Sequence, residues 1–115
     1  MSTLFLVPDA APNNATITAL NWTSIKVKWQ NVPKYFQNGI ILGYRIQVFN
    51  TSEMSLLQEI VVGPYQFSTF INGLEPITNF SVSIKAFTSV GDGVPFNDFK
   101  MTHEERKYIY DIKES

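Results

Sequence analysis

The sequence contains no cysteine and a single histidine, His103. The first absence removes disulfide frameworks, thiol nucleophiles, iron–sulfur clusters and cysteine-ligated zinc. The second leaves too little for a histidine metal centre or a Ser-His catalytic pair. Glu104 and Glu105 follow His103, but successive residues of an extended chain point to opposite faces and do not converge on an ion. An excess of one charge is missing too, since nine Lys and Arg oppose ten Asp and Glu for a formal net charge of −1. Without a basic excess to neutralise phosphates, neither nucleic-acid binding nor direct membrane contact is expected. The longest apolar run, Gly39 to Tyr44, is far too short to span a bilayer. Met1-Ser2-Thr3 opens nothing like a secretory leader, lacking both the charged and the long apolar region. No Gly-x-Ser-x-Gly elbow, phosphate loop or dinucleotide fingerprint occurs, and the acidic residues fall mainly in turns and the tail. Neither catalysis nor a cofactor is expected.

What remains is 115 residues, 44% apolar and 14% aromatic, enough for one domain with one core. The strongest signal is alternation with period two in short runs. Ile25-Lys26-Val27-Lys28-Trp29 alternates apolar and basic residues, as a strand with one wet face should. Leu42, Tyr44, Ile46 and Val48 alternate with Gly43, Arg45, Gln47 and Phe49. Phe80, Val82, Ile84 and Ala86 alternate with Ser81, Ser83, Lys85 and Phe87. Weaker runs cover Ala15 to Leu20, Leu57 to Val62, Tyr65 to Ile71 and Phe96 to Thr102. Turn residues separate them: Val32-Pro33, Asn38-Gly39, Gly63-Pro64, Asn72-Gly73 with Pro76, and Gly91-Asp92-Gly93 with Pro95. About seven short strands with no long helix predict an all-β sandwich. The charged segment from Thr102 to Ser115 reads equally well as helix or extended chain.

In order, these motifs resemble a fibronectin type III domain. Ser24 to Trp29 is similar to the family's second strand with its core tryptophan, and Asn38 to Ile46 to the loop and third strand with its Gly-Tyr pair. Leu74-Glu75-Pro76 running into Phe80 to Ala86 is similar to the leucine, proline and sixth-strand pattern. Gly91 to Pro95 resembles the loop before the last strand, and Thr102-His103-Glu104 the domain end. The resemblance implies a seven-stranded immunoglobulin-like sandwich, strands one, two and five (A-B-E) facing three, four, six and seven (C-C′-F-G). The domain would span residues 8–104. Residues 1–11 would form an N-terminal linker or the start of the first strand, and 105–115 a charged tail or linker. Trp29, Tyr44, Leu74 and Phe80 are the expected structural core. Phe80 departs from the family, which usually places a tyrosine at this corner, so one hydrogen bond worth about 1 kcal/mol is expected to be missing.

Four Asn-x-Ser/Thr sequons begin at Asn14, Asn21, Asn50 and Asn79. Nine Asn and eighteen Ser plus Thr would give roughly 1.4 by chance, so glycosylation is weighed against ordinary turn residues and preferred. The resemblance places Asn21, Asn50 and Asn79 at the end where the chain leaves the sandwich, the trailing end. At the opposite, leading end, Tyr35 and Phe36 sit adjacent in the BC loop, with Phe87, Val90 and Val94 expected nearby as a partner-binding patch. Packing against a preceding module, or inward over the core, is the alternative. Asp92 belongs to the same loop cluster, but Gly91-Asp92-Gly93 lacks the family's integrin-binding Arg-Gly-Asp and reads as a turn. Lys26 and Lys28 fall on one sheet and Arg45 and Lys85 on the other, so they form no single basic face. The expectation is a non-catalytic, extracellular, monomeric module of a cell-adhesion or receptor protein that binds other proteins. An accessory module of a secreted enzyme, or of an intracellular muscle-type array, is the rival reading.

Overall fold

A computed structural model describes residues 6–102 of the chain. The expectations for His103, Glu104, Glu105 and the charged tail lie outside the described residues. Seven strands appear in chain order: β1 (Asn13–Ala19), β2 (Ile25–Gln30), β3 (Gly43–Asn50), β4 (Ser55–Val62), β5 (Ser68–Ile71), β6 (Asn79–Phe87) and β7 (Phe96–Met101). They form two antiparallel sheets, ordered β1-β2-β5 and β4-β3-β6-β7. The only helical element among the described residues is one 3₁₀ turn, Lys34–Phe36.

Alternation decides which faces meet. Ile25, Val27 and Trp29 of β2 turn inward and are buried, while Lys28 remains in solvent. Tyr44, Ile46 and Val48 of β3 face them from the other sheet, with Phe80, Val82, Ile84 and Ala86 of β6 beside them. Ile17, Ile71 and Leu74 close the sides. Fully burying one such side chain contributes about 1.5–3 kcal/mol, so this row dominates stability. The Trp29 and Tyr44 rings tilt against each other at 5.5 Å, and Phe67 adds a third ring 5.8 Å from Tyr44.

Leu42 does not join the inward row. It precedes β3 and is half exposed, whereas Gly43 is buried. A Cβ on Gly43 would collide with the Val62 carbonyl oxygen and touch the Phe87 ring at 3.0 Å, so only glycine lets these three elements close up. The run from Tyr65 to Ile71 is also shorter than its pattern. Gly63-Pro64 turns the chain out of the ladder, and regular pairing resumes only at Ser68.

The corner before β6 is held by an unexpected group. Thr102, buried at the end of β7, donates its hydroxyl to the Glu75 carbonyl at 2.6 Å and accepts from the Thr78 amide at 3.3 Å. Phe80 fills the space below with its ring and contributes no hydrogen bond. A threonine just past β7 thus fastens the corner where, with Phe80 in place of the family's usual tyrosine, one hydrogen bond was expected to be missing.

Candidate partner surface and glycan sites

The leading end is assembled around the first described residues. Leu6, Val7, Pro8 and Asp9, expected as linker or the start of a strand, run between the β2–β3 and β6–β7 loops. The Leu6 amide donates to the Asn38 carbonyl at 3.0 Å and the Asp9 amide to the Phe36 carbonyl at 2.9 Å. Asn38 Nδ2 donates to the Val7 carbonyl, Thr88 Oγ1 to the Leu6 carbonyl and the Val94 amide to the Pro8 carbonyl. Pro8 is buried against Gly93, where a Cβ would meet it at 2.6 Å.

On this base the 3₁₀ turn lifts Tyr35 into solvent, 89% exposed, with Phe36 edge-on beneath it at 5.4 Å. Neither ring folds into the core. Val90 and Val94 are exposed on the adjoining loop. Sequence reasoning missed two further members of this end, Ile40 and Tyr65, which are 72% and 90% exposed and line one shallow groove with Pro64. The Gly63-Pro64 pair was the available signal for Tyr65, because it marks a turn where the alternation suggested a strand.

Phe87 and Asp92 occupy a different setting. The Arg45 guanidinium lies 5.4 Å from the Phe87 ring centre. It also binds Glu59 at 2.6 Å and Asp92 at 3.2 Å, while Lys85 reaches Asp92 at 3.6 Å. The hydrogen bond that Arg45 donates to Glu59, then the one to Asp92 and the two negative charges, hold Arg45 more firmly protonated than usual against the opposing effect of burial. Asp92 is therefore shared by two cations of its own domain, in an ion-pair group whose side chains are about one-fifth to one-third exposed and which is worth little alone. Lys26 and Lys28 stand on the opposite sheet, with Lys26 over the Phe70 ring.

The sequons separate by geometry. Asn21 Oδ1 accepts from the Thr23 amide and from the Ser24 hydroxyl, at 2.9 and 2.8 Å. Asn50 Oδ1 does the same for the Ser52 and Glu53 amides at 3.0 and 3.1 Å. Each oxygen is thus turned into its own turn, where it accepts from the residues that follow. Asn79, the first residue of β6, is exposed. Cross-links between the β1–β2, β3–β4 and β5–β6 connections place all three at the trailing end: Leu74 amide to Thr23 carbonyl, Thr51 amide to Asn79 carbonyl. Asn14 differs, because its amide nitrogen already donates to Gln30 at 2.7 Å across a bulge in β1.

The family model that describes the fibronectin type III domain matches residues 10–100. The chain belongs to the fibronectin type III family. Among curated relatives it is similar to human Protein sidekick-1, 37% identical over 91 residues that make up 77% of this chain and 4% of that protein. Neogenin of Rattus norvegicus is 38% identical, over 79% of this chain and 7% of its own length. Cell adhesion molecule DSCAM of Gallus gallus is 37% identical over 81% of this chain and 5% of its own. The chain thus spans less than a tenth of the length of these relatives. Among solved structures, the chicken CNTN1 FN1-FN3 domains superpose with a TM-score of 0.74 at 25% identity, over 84% of this chain and 33% of that one. The FN5 domain of Drosophila Lar gives 0.64 at 27% identity, over 84% and 98%.

Proposed function

We propose that this fibronectin type III domain is a non-catalytic extracellular module of a cell-adhesion or receptor protein. It spaces its neighbours and offers its leading tip to a protein partner. One observation carries the reading: Tyr35 and Phe36 are held in solvent on a hydrogen-bonded 3₁₀ turn, so contact at this tip loses little conformational entropy. Aromatic side chains presented this way supply large contact area. The four sequons support an extracellular setting, and the similarity to a protein named as a cell adhesion molecule agrees with it. The isolated domain is a monomer in this reading.

At the trailing end, bulky hydrated sugars on Asn21, Asn50 and Asn79 would keep a following module at a distance. The module is asymmetric: apolar contact at one end, a sugar-ringed junction at the other. The test is a secreted three-module protein carrying this chain in the middle, analysed by glycopeptide mass spectrometry and small-angle scattering. Occupied Asn21, Asn50 and Asn79 with a stiff leading junction are expected. Unoccupied sites, or a stiff trailing junction beside a loose leading one, contradict the reading.

A further inference from the structure

On the outer face of the four-stranded sheet, register builds a row that no single strand reveals. Leu56 of β4 pairs with Phe49 of β3, Phe49 with Ser81 of β6, and Ser81 with Phe99 of β7. A small residue between two aromatic ones leaves a groove of about 300 Å³, lined by Phe49, Thr51, Met54, Ser81 and Phe99. None of these side chains is charged. Phe99 is 64% exposed and Met54 80%. The buried Thr51 hydroxyl in its wall has no hydrogen-bond partner among the described residues. The other half of this face carries Arg45, Glu59, Lys85 and Asp92 around the exposed Val61, so the groove is the part of the face without charge.

Asn79 stands at the rim. It pairs with Met101, two positions from the Ser81–Phe99 pair, so its side chain leaves the sheet on the face that holds the groove. Diagonal neighbours in such a ladder are about 7–8 Å apart, the span of one sugar attached to the amide nitrogen. We propose that the first N-acetylglucosamine linked to Asn79 lies over Phe99 and into this groove, with its C–H face against the ring. The inference rests on glycosylation as read under the proposed function and assigns one sequon a structural task. A pyranose presents an apolar face that matches an aromatic one, and covering the groove removes apolar area from water. A covalent tether makes even weak stacking effective, because the sugar never has to be recruited from solution. The same sugar would exclude a protein from this face, leaving the leading tip as the contact.

The experiment uses the whole 115-residue chain secreted from eukaryotic cells. Asn79→Gln, Phe99→Ala and the double variant are compared with the parent, each before and after trimming to single N-acetylglucosamine residues. Both positions are exposed, so the variants fold. Expected are an occupied Asn79, nuclear Overhauser contacts between the sugar and the Phe99 ring, and a melting temperature unchanged by trimming. Asn79→Gln and Phe99→Ala should each lower that temperature by about 3 °C, and the double variant by no more than one of them. An occupied Asn79 with additive losses and no sugar–ring contact overturns this inference alone. An unoccupied Asn79 overturns it together with the glycan reading of that site.

Discussion

The two ends of the sandwich are both made of three connections, yet they are held in different ways. At the leading end, the residues before β1 thread between two loops and bond to each, so an apolar surface is fixed before anything touches it. At the trailing end the Thr102 side chain fastens the β5–β6 corner, and single backbone bonds, Leu74 to Thr23 and Thr51 to Asn79, tie it to the other two connections. This end also stores backbone strain, since Ile77 adopts φ 51° and Met54 φ 56°, a region that β-branched and bulky residues rarely enter. The leading tip is thus held by a dense set of hydrogen bonds, while the strained residues of the trailing end, Met54 and Ile77, are themselves exposed to solvent.

The comparison can be broken most severely from beneath the leading end. Trp29→Ala empties the aromatic stack with Tyr44 and should cost at least about 3 kcal/mol in chemical denaturation, or abolish folding. Trp22, 40% exposed in the trailing β1–β2 turn, is the counterpart, and Trp22→Ala should cost less than about 1 kcal/mol. Alkaline pH attacks the same stack. Burial pushes the Tyr44 hydroxyl, hydrogen-bonded to Asn31, up to about 12 from an ordinary 10. Below about pH 10 both folded and unfolded chains keep this proton. Above it the unfolded chain ionises first, so stability falls from pH 10 towards 12, by on the order of 2 kcal/mol. In denaturation curves taken at several pH values, Tyr44→Phe should flatten that fall.

The trailing end should respond to smaller changes. Thr102→Val keeps the shape but takes from the part-buried Glu75 carbonyl and Thr78 amide their hydroxyl partner, a loss of about 1–2 kcal/mol by thermal melting. A loss as small as that of Trp22→Ala would show that the corner does not depend on this hydroxyl. Ile77→Gly should stabilise by about 0.5–1 kcal/mol, because glycine adopts the positive φ without a clash. Destabilisation there would mean that the half-exposed isoleucine gains more from its contacts than it loses to strain.

The sheets were legible because β2, β3 and β6 carry period-two patterns long enough to set their own inward faces, and Asn-Gly and Gly-Pro pairs mark the turns between them. Tyr35 and Phe36 stood out as adjacent aromatics in a loop. Tyr65 did not, because a run of apolar and polar residues after Gly63-Pro64 looks the same whether or not the proline has taken it out of the ladder. The Thr102 corner joins groups 24 and 27 residues apart, a spacing that no local motif encodes. The groove between Phe49 and Phe99 required the register of three strands, and a shift of one residue would have hidden it. Asp92 was read as a turn residue because its loop is glycine-rich; its two cationic partners lie on neighbouring strands.

The threading of residues 6–9 between the two tip loops has a mechanical consequence. Tension applied ahead of Leu6 would load the Leu6–Asn38, Asp9–Phe36 and Val94–Pro8 hydrogen bonds before any bond of the sheets. These few bonds would be unzipped in turn, while the paired strands behind them hold. The aromatic turn would then lose its footing at a force too small to open the sandwich. In single-molecule pulling this is a short extension step preceding the main rupture, and one all-at-once rupture would contradict it. A module built in this way gives up its aromatic tip to a tug on the chain while its core stays closed.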